Sequence, residues 1–252
     1  SLFDDLLISK TQSYSKFINS YNVICLDITW FITISNNINN VVDVLQKEVT
    51  DELAKAFPNV KRSFSLPEMI ADIAEQTGTK FIILIDEWDA LFREAKNNIE
   101  LQKSYIKMLR GLFKNTHTDK SIAAAYMTGI LPIKKYGTES ALNNFDEFTM
   151  INPAPLSQYI GFTEEEVKSL CEKHSMDFSS MKNWYDGYVF GNLHIYNPKS
   201  VLDAIKRQSF SSYWTQTETY ESLKHYINMN FDGLKLAVLF MLEGGRCNII
   251  TR

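Results

Sequence analysis

Cysteine and histidine are scarce in this chain, and neither is patterned. Cys25, Cys171 and Cys247 are odd in number and far apart, with no CxxC pair and no Cys/His spacing. This argues against a disulfide framework or a zinc site and fits a reducing compartment. His117, His174, His194 and His225 show neither HxxxH nor HxE spacing, so they read as surface or packing residues. No GxSxG elbow is present, and no cysteine has a patterned histidine partner, which removes the usual nucleophile readings. Long apolar runs are missing too. The most apolar late stretch, Leu234 to Leu242, is nine residues and includes Lys235. With no signal peptide or membrane span, a cytoplasmic location is the expectation. Charge of one sign is also lacking: 26 Lys and Arg against 30 Asp and Glu give a net charge of -4, which argues against broad coating of nucleic acid. The absence with most consequence concerns glycine. None of the 10 glycines fits GxxxxGK[ST], the loop whose backbone N–H groups cradle phosphate and whose lysine neutralises it.

What is present makes that absence notable. At 252 residues and 45% hydrophobic, the chain is long enough for one large or two medium domains with true cores. Phe81 to Asp89, FIILIDEWD, runs five apolar residues straight into Asp86 and Glu87. A buried parallel strand reads as such a run, and ligands in open α/β sheets sit at the carboxyl ends of the strands. In a nucleotide-hydrolysing site this is the Walker B position, where the Asp holds Mg²⁺ and the following Glu polarises the attacking water. The other reading is that Asp86 and Glu87 begin a helix over DEWDALFREA, where early acids suit the macrodipole.

Strand and helix patterns alternate through the first part, which predicts an α/β fold with a parallel sheet. Asn22 to Thr29 reads as one strand, Ser121 to Thr128 as another, and Phe148 to Ile151 as a short fourth. Helices are expected over Val41 to Ala56, Pro67 to Gln76, Glu87 to Lys96, Ile99 to Asn115 and Glu139 to Asn144. After Pro155 the periodicity is mostly helical: Thr163 to His174 behind a capping box, Phe178 to Trp184, Pro198 to Arg207 and Glu218 to Asn228. An aromatic hairpin over Trp184 to Tyr196 interrupts it.

The blocks FIILIDEWDA, AAYMTGILPIKKYGTESALNNFDEFTM, YIGFTEEEV, WYDGY, YNPKSVL, YW and DGLKLAVLFMLEGG follow one another in order, and in that order the chain resembles the bacterial AAA-ATPase-like family. The resemblance runs from the Phe81 strand almost to the C-terminus. It implies a P-loop NTPase core over residues 1–155 lacking its first strand and Walker A loop, followed by a mostly helical lid domain over 156–252. It implies ATP and Mg²⁺ as cofactors of the intact protein, with Asp86 as the metal-holding acid, Glu87 as the catalytic base and Thr128 as the sensor that contacts phosphate or water. Lys134 and Lys135 follow on the next loop as cations for phosphate, a solvated basic loop being the plainer reading of the pair. Trp88 is left to packing. Asp27 and Asp89 are the fallback bases.

Family members usually carry the Walker A loop just before the segment matching Leu2 to Ser9, and many continue into a nuclease-like domain, so an effector downstream is the expected partner. The start at Ser1 with LFDDLLISK reads like the middle of a domain, and this chain alone is expected to be inactive. The first-strand gap is expected beside Phe81 to Ile85 and any strand at Phe148. Two functions fit: an ATP-hydrolysing module that passes nucleotide state to an effector, or a non-catalytic recognition or scaffold protein that keeps the ATPase fold.

Overall fold

Three runs rich in β-branched and small residues form strands: β1 over Asn22–Asp27, β2 over Phe81–Asp86 and β3 over Ile122–Met127. The computed structural model describes residues 2–63, 65–131, 142–150, 152–153, 155–213, 236, 237, 240 and 247. It divides into two units, Ser1–Glu147 and Phe148–Arg252. In the first unit the three strands form one parallel sheet in the order β1-β2-β3.

Parallel neighbours require long crossovers, and the helices supply them. A short α1, Tyr14–Phe17, precedes β1. Between β1 and β2 run α2 (Ile28–Ile34), α3 (Val41–Ala56) and α4 (Leu66–Thr77). Between β2 and β3 run α5 (Ala90–Glu94), α6 (Ile99–Phe113) and the single turn α7 (Thr118–Ser121). Helix α4 starts with Pro67 in its first turn and stops at Gly78, whose φ of +69° is the left-handed cap that glycine takes without cost.

The core lies on one face of the sheet. Ile24, Leu26, Phe81, Ile83 and Ile85 share a buried cluster with Leu45 and Val49 of α3, Met69 and Ile73 of α4, and Tyr105 and Leu109 of α6. Helical spacing puts each set on one stripe, and each fully buried aliphatic side chain contributes roughly 1.5–3 kcal/mol. The opposite face is open: Val23 is 56% exposed, Leu84 37% and Tyr126 56%. Strands apolar throughout are therefore covered on one side only among the described residues.

Two expectations are corrected here. Strand β2 is bonded on both sides, so no gap lies beside Phe81 to Ile85, and a further strand has room only outside β1 or β3. Residues 148–150 form no strand. Thr149 and Asn152 exchange backbone hydrogen bonds at 3.2 and 3.1 Å, which folds this stretch into a tight turn. Of the expected helix at 139–144, residues 139–141 lie outside the described residues and 142–144 are turn.

The second unit combines helices with a small antiparallel sheet of order β4-β6-β5, so it is less purely helical than its periodicity suggests. Its strands are β4 (Phe162–Thr163), β5 (Asp186–Phe190) and β6 (Leu193–Tyr196). Gly191, at φ +62°, turns the β5–β6 hairpin. Helix α8 (Glu164–His174) opens with a full capping box: Glu166 N–H donates to Thr163 Oγ1, and Thr163 N–H donates to Glu166 Oε2 at 2.8 Å. Helices α9 (Phe178–Tyr185) and α10 (Pro198–Arg207) are capped by Asp177 and Asn197. Val167, Cys171, Met181, Tyr196 and Val201 form the core. The expected helix at 218–228 lies outside the described residues. Among those described, no helix is long and apolar enough to cross a membrane.

Candidate functional site

The unslipped pairing of β1 with β2 sets Asp27 beside Asp86, and Thr128 follows the last residue of β3. Thr128 N–H donates to the Ile85 carbonyl at 2.9 Å, and Trp88 N–H donates to the Thr128 carbonyl at 2.9 Å. The structure thus brings Asp27, Asp86, Glu87 and Thr128 to the same carboxyl edge, with β2 central. Lys134 and Lys135 lie outside the described residues.

The acids differ in what they are free to do. Asp27 caps α2, accepting from the N–H groups of Thr29 and Trp30 at 2.9 and 3.2 Å and from the Thr29 hydroxyl. The Thr29 hydroxyl is the main cause that holds its carboxyl below the ordinary value; burial opposes it, and the Trp30 and Thr29 N–H groups add to the lowering. This acid is committed to starting a helix, which also explains why β1 stops at Asp27 and not Thr29. Asp86 remains exposed. Its Oδ1 accepts from the Thr128 hydroxyl and, at 3.0 Å, from Glu87 N–H.

Glu87 has a φ of +52°, a left-handed conformation that costs a non-glycine residue of order 1–3 kcal/mol and clusters at functional sites. The turn at 87–89 delays the helix, which begins at Ala90 and not at Glu87. The Glu87 carboxylate is met by the Arg93 guanidinium. Arg93 Nε also lies 3.3 Å from Oδ2 of Asp89, an ion-pair distance without hydrogen-bond alignment.

Asp89 is fully buried. Its Oδ2 accepts the Leu131 N–H at 3.0 Å, while Oδ1 has no hydrogen-bond partner among the described residues. A Cβ on Gly129 would sit 2.5 Å from that Oδ1 and 2.6 Å from Trp88 Cδ1, so only glycine lets the loop after β3 close over Asp89. Trp88 is buried and packs on Phe92 at 5.5 Å between ring centroids. The Tyr105 hydroxyl is also buried without a partner among the described residues, and desolvation, aided by the Asp89 charge, pushes its pKa far up. Asp89 is therefore a buried tie between the two strand ends and unsuited to serve as a fallback base.

Asp89, Arg93 and Gly129 are the residues that sequence reading underrates. The Asp-to-Arg spacing of four within DALFR was the available signal for one contact; the contact to Leu131 spans 42 positions and had none.

A second ionic cluster occupies the other unit. Ligand-type atoms of Glu164, Asp186 and His194 lie within 4.8 Å of one another. Their valences are already met: Glu164 is bonded by Lys168 at 2.9 Å and Lys182 at 2.6 Å, and His194 Nδ1 lies 2.8 Å from Asp186 Oδ2. Lys182 and then Lys168 hold the Glu164 carboxyl down at about 2. The cluster ties α8 and α9 to the hairpin.

A family described as a predicted AAA-ATPase matches residues 1–138, more than half of the chain. That span holds the whole parallel sheet and the strand-end cluster. The chain belongs to this AAA-ATPase-like family. The AAA-ATPase-like chain is also 26% identical, over 155 residues, to an uncharacterized protein in the vnfD 5' region of Azotobacter chroococcum mcd 1. The match covers 60% of this chain and 30% of that relative's length, so the chain spans well under half of the protein it resembles.

Proposed function

We propose that the carboxyl edge of this sheet is the Mg²⁺ and ATP-handling edge of a P-loop-type ATPase whose first strand and phosphate-binding loop lie outside these 252 residues. The observation that carries the reading is Asp86: an exposed carboxylate at the end of the central parallel strand, bonded to Thr128 of the neighbouring strand end and followed at once by Glu87.

The donor set suits the group. A carboxylate and a hydroxyl are the hard oxygen donors that Mg²⁺ takes, usually with several waters retained. Asp86 and Thr128 would hold it, and when bound it would neutralise charge on the transferring phosphoryl group. Glu87 orients and polarises water, and its carboxylate is aimed by Arg93, which Asp89 in turn holds. Thr128 reports the state of the phosphate end to β3. Lys134 and Lys135, which follow Thr128 in the sequence, are proposed as cations for phosphate. The outer edge of β3, which no strand pairs with among the described residues, is suitable ground for the missing strand. Turnover at this edge is passed to an effector, and a downstream nuclease-like domain is the form of effector that the family suggests. The lack of a GxxxxGK[ST] loop within the chain favours a second reading, a recognition or scaffold protein on an ATPase fold.

Calorimetric titration of Mg²⁺·ATP separates the two. The 252-residue chain should bind weakly or not at all, because the backbone cradle supplies most anion recognition. A longer version carrying a GxxxxGK[ST] loop should bind at micromolar concentration, and Asp86→Asn should weaken its Mg²⁺-dependent affinity roughly 10–100-fold. Micromolar binding by the 252-residue chain would reveal a cradle within it, and an unaffected Asp86→Asn variant would remove the metal role. A longer natural protein with no such loop, and no ATP binding, would favour the scaffold.

A further inference from the structure

Strand β1 is an edge of the sheet, and among the described residues no strand pairs with its outer side. Asn22 N–H donates to the Lys80 carbonyl at 3.1 Å, which fixes the alternation. Asn22, Ile24 and Leu26 spend their backbone groups on β2, while Val23 and Cys25 turn theirs away from the sheet. Natural edge strands are blunted by proline, lysine or a bulge. The run NVICLD has neither proline nor lysine, and it pairs with β2 without a slip.

Beside this edge, α2 and α3 enclose a groove of about 680 Å³. Its apolar lining includes Trp30, 57% exposed, and Ile34, 36% exposed, together with Phe57. Its charged lining residues are Asp27, Glu48 and Glu52, with no lysine or arginine. Asp27 is used as a cap. Glu48 and Glu52 stand one turn apart on α3, a like-charge pair that weakens a helix by a few tenths of a kcal/mol. Lys47 is 3.9 Å from Glu48, but both side chains are solvent-exposed and such a pair offsets little.

We propose that this groove docks an extended apolar and basic segment of a partner protein, which adds to β1 as a further strand. Backbone bonds from Val23 and Cys25 would set the register, Trp30 and Ile34 would cover the apolar side chains, and Glu48 and Glu52 would select lysine or arginine. A second copy of this chain fits poorly, because edge-to-edge pairing would bring two sets of the same glutamates together.

Fluorescence anisotropy on the 252-residue chain tests this with three labelled peptides that present apolar and charged residues on one strand face: VSKSVSK, VSESVSE and the proline-interrupted VPKSVPK. The first should bind saturably in the micromolar range and the others at least ten-fold more weakly. The double variant Glu48→Lys, Glu52→Lys changes only surface charge and should weaken VSKSVSK at least ten-fold. Cys25→Pro removes an outward N–H and no bond to β2, and it should abolish binding while leaving the circular dichroism unchanged. The proposal is overturned by an absence of saturable VSKSVSK binding, by equal binding of either control peptide, or by unchanged affinity in the charge-reversed chain. Sedimentation showing a dimer that Cys25→Pro dissolves would identify a second copy as the occupant and overturn it as well.

Discussion

The two ionic clusters of this molecule, one in each unit, draw on the same side-chain chemistry and end in opposite states. Around Glu164 both carboxylate oxygens have an ammonium partner, and Asp186 has its histidine. At the sheet edge the arrangement is unfinished. Asp86 is exposed, Glu87 is held at a positive φ, and the buried Asp89 keeps one oxygen without a partner among the described residues. A satisfied cluster fastens elements together, whereas backbone strain of the kind seen at Glu87 is found disproportionately at functional sites. Both contain carboxylates and cations near a strand, so residue type alone does not separate them.

The largest effect that would sharpen this contrast comes from Asp89→Ala. It strands the partly buried Leu131 N–H and leaves Arg93 with Glu87 alone, a loss of about 3 kcal/mol, the upper end of the penalty for a buried donor deprived of its acceptor. A urea midpoint that falls accordingly, measured by far-UV circular dichroism, supports the tie; a shift within experimental scatter breaks it. Gly129→Ala attacks the same tie from the loop and should cost roughly 1–3 kcal/mol by overpacking against Trp88 and Asp89. Its diagnostic is altered Trp88 fluorescence, which an unrelated loop change would leave alone.

The smallest effect belongs to the satisfied cluster and is read through pH. Glu164 has a folded pKa of about 2, lowered from an ordinary 4.5. Its contribution to stability is therefore complete above 4.5 and is lost as pH falls from there towards about 2. Lys182 is shifted the other way, raised above 10.5 chiefly by its bond to Glu164; its contribution is complete below 10.5 and disappears as pH rises through the raised value. Glu164→Gln should flatten both limbs of a thermal-unfolding profile. The part of the acid limb that comes from Asp27, also lowered, should persist. Unchanged limbs would mean that the lysine contacts carry no stability.

Much of this architecture was legible because it is local. Helices α3 and α10 occupy the spans that helical periodicity marks, and the capping box at Thr163 forms as its sequence implies. Asp86, Glu87 and Thr128 could be placed on one edge because parallel strands send their carboxyl ends the same way. What failed was long-range or decided by a single side chain. The order β1-β2-β3 closes both sides of β2, which no periodicity reveals. Asp27 ends its strand early by capping, and Thr149 with Asn152 folds an apolar run into a turn. The tie from Asp89 to Leu131 depends on how close the loop after β3 approaches, which Gly129 hints at only once the fold is known.

The role of Glu87 is the point at which the account is most directly exposed. In a longer version of the protein carrying a phosphate-binding loop, steady-state ATP hydrolysis at saturating Mg²⁺·ATP should fall by about 10²–10⁴-fold in Glu87→Gln, the range expected for loss of a general base, while nucleotide affinity stays close to that of the parent. Hydrolysis within a few-fold of the parent would contradict the assignment of this strand end as the catalytic edge.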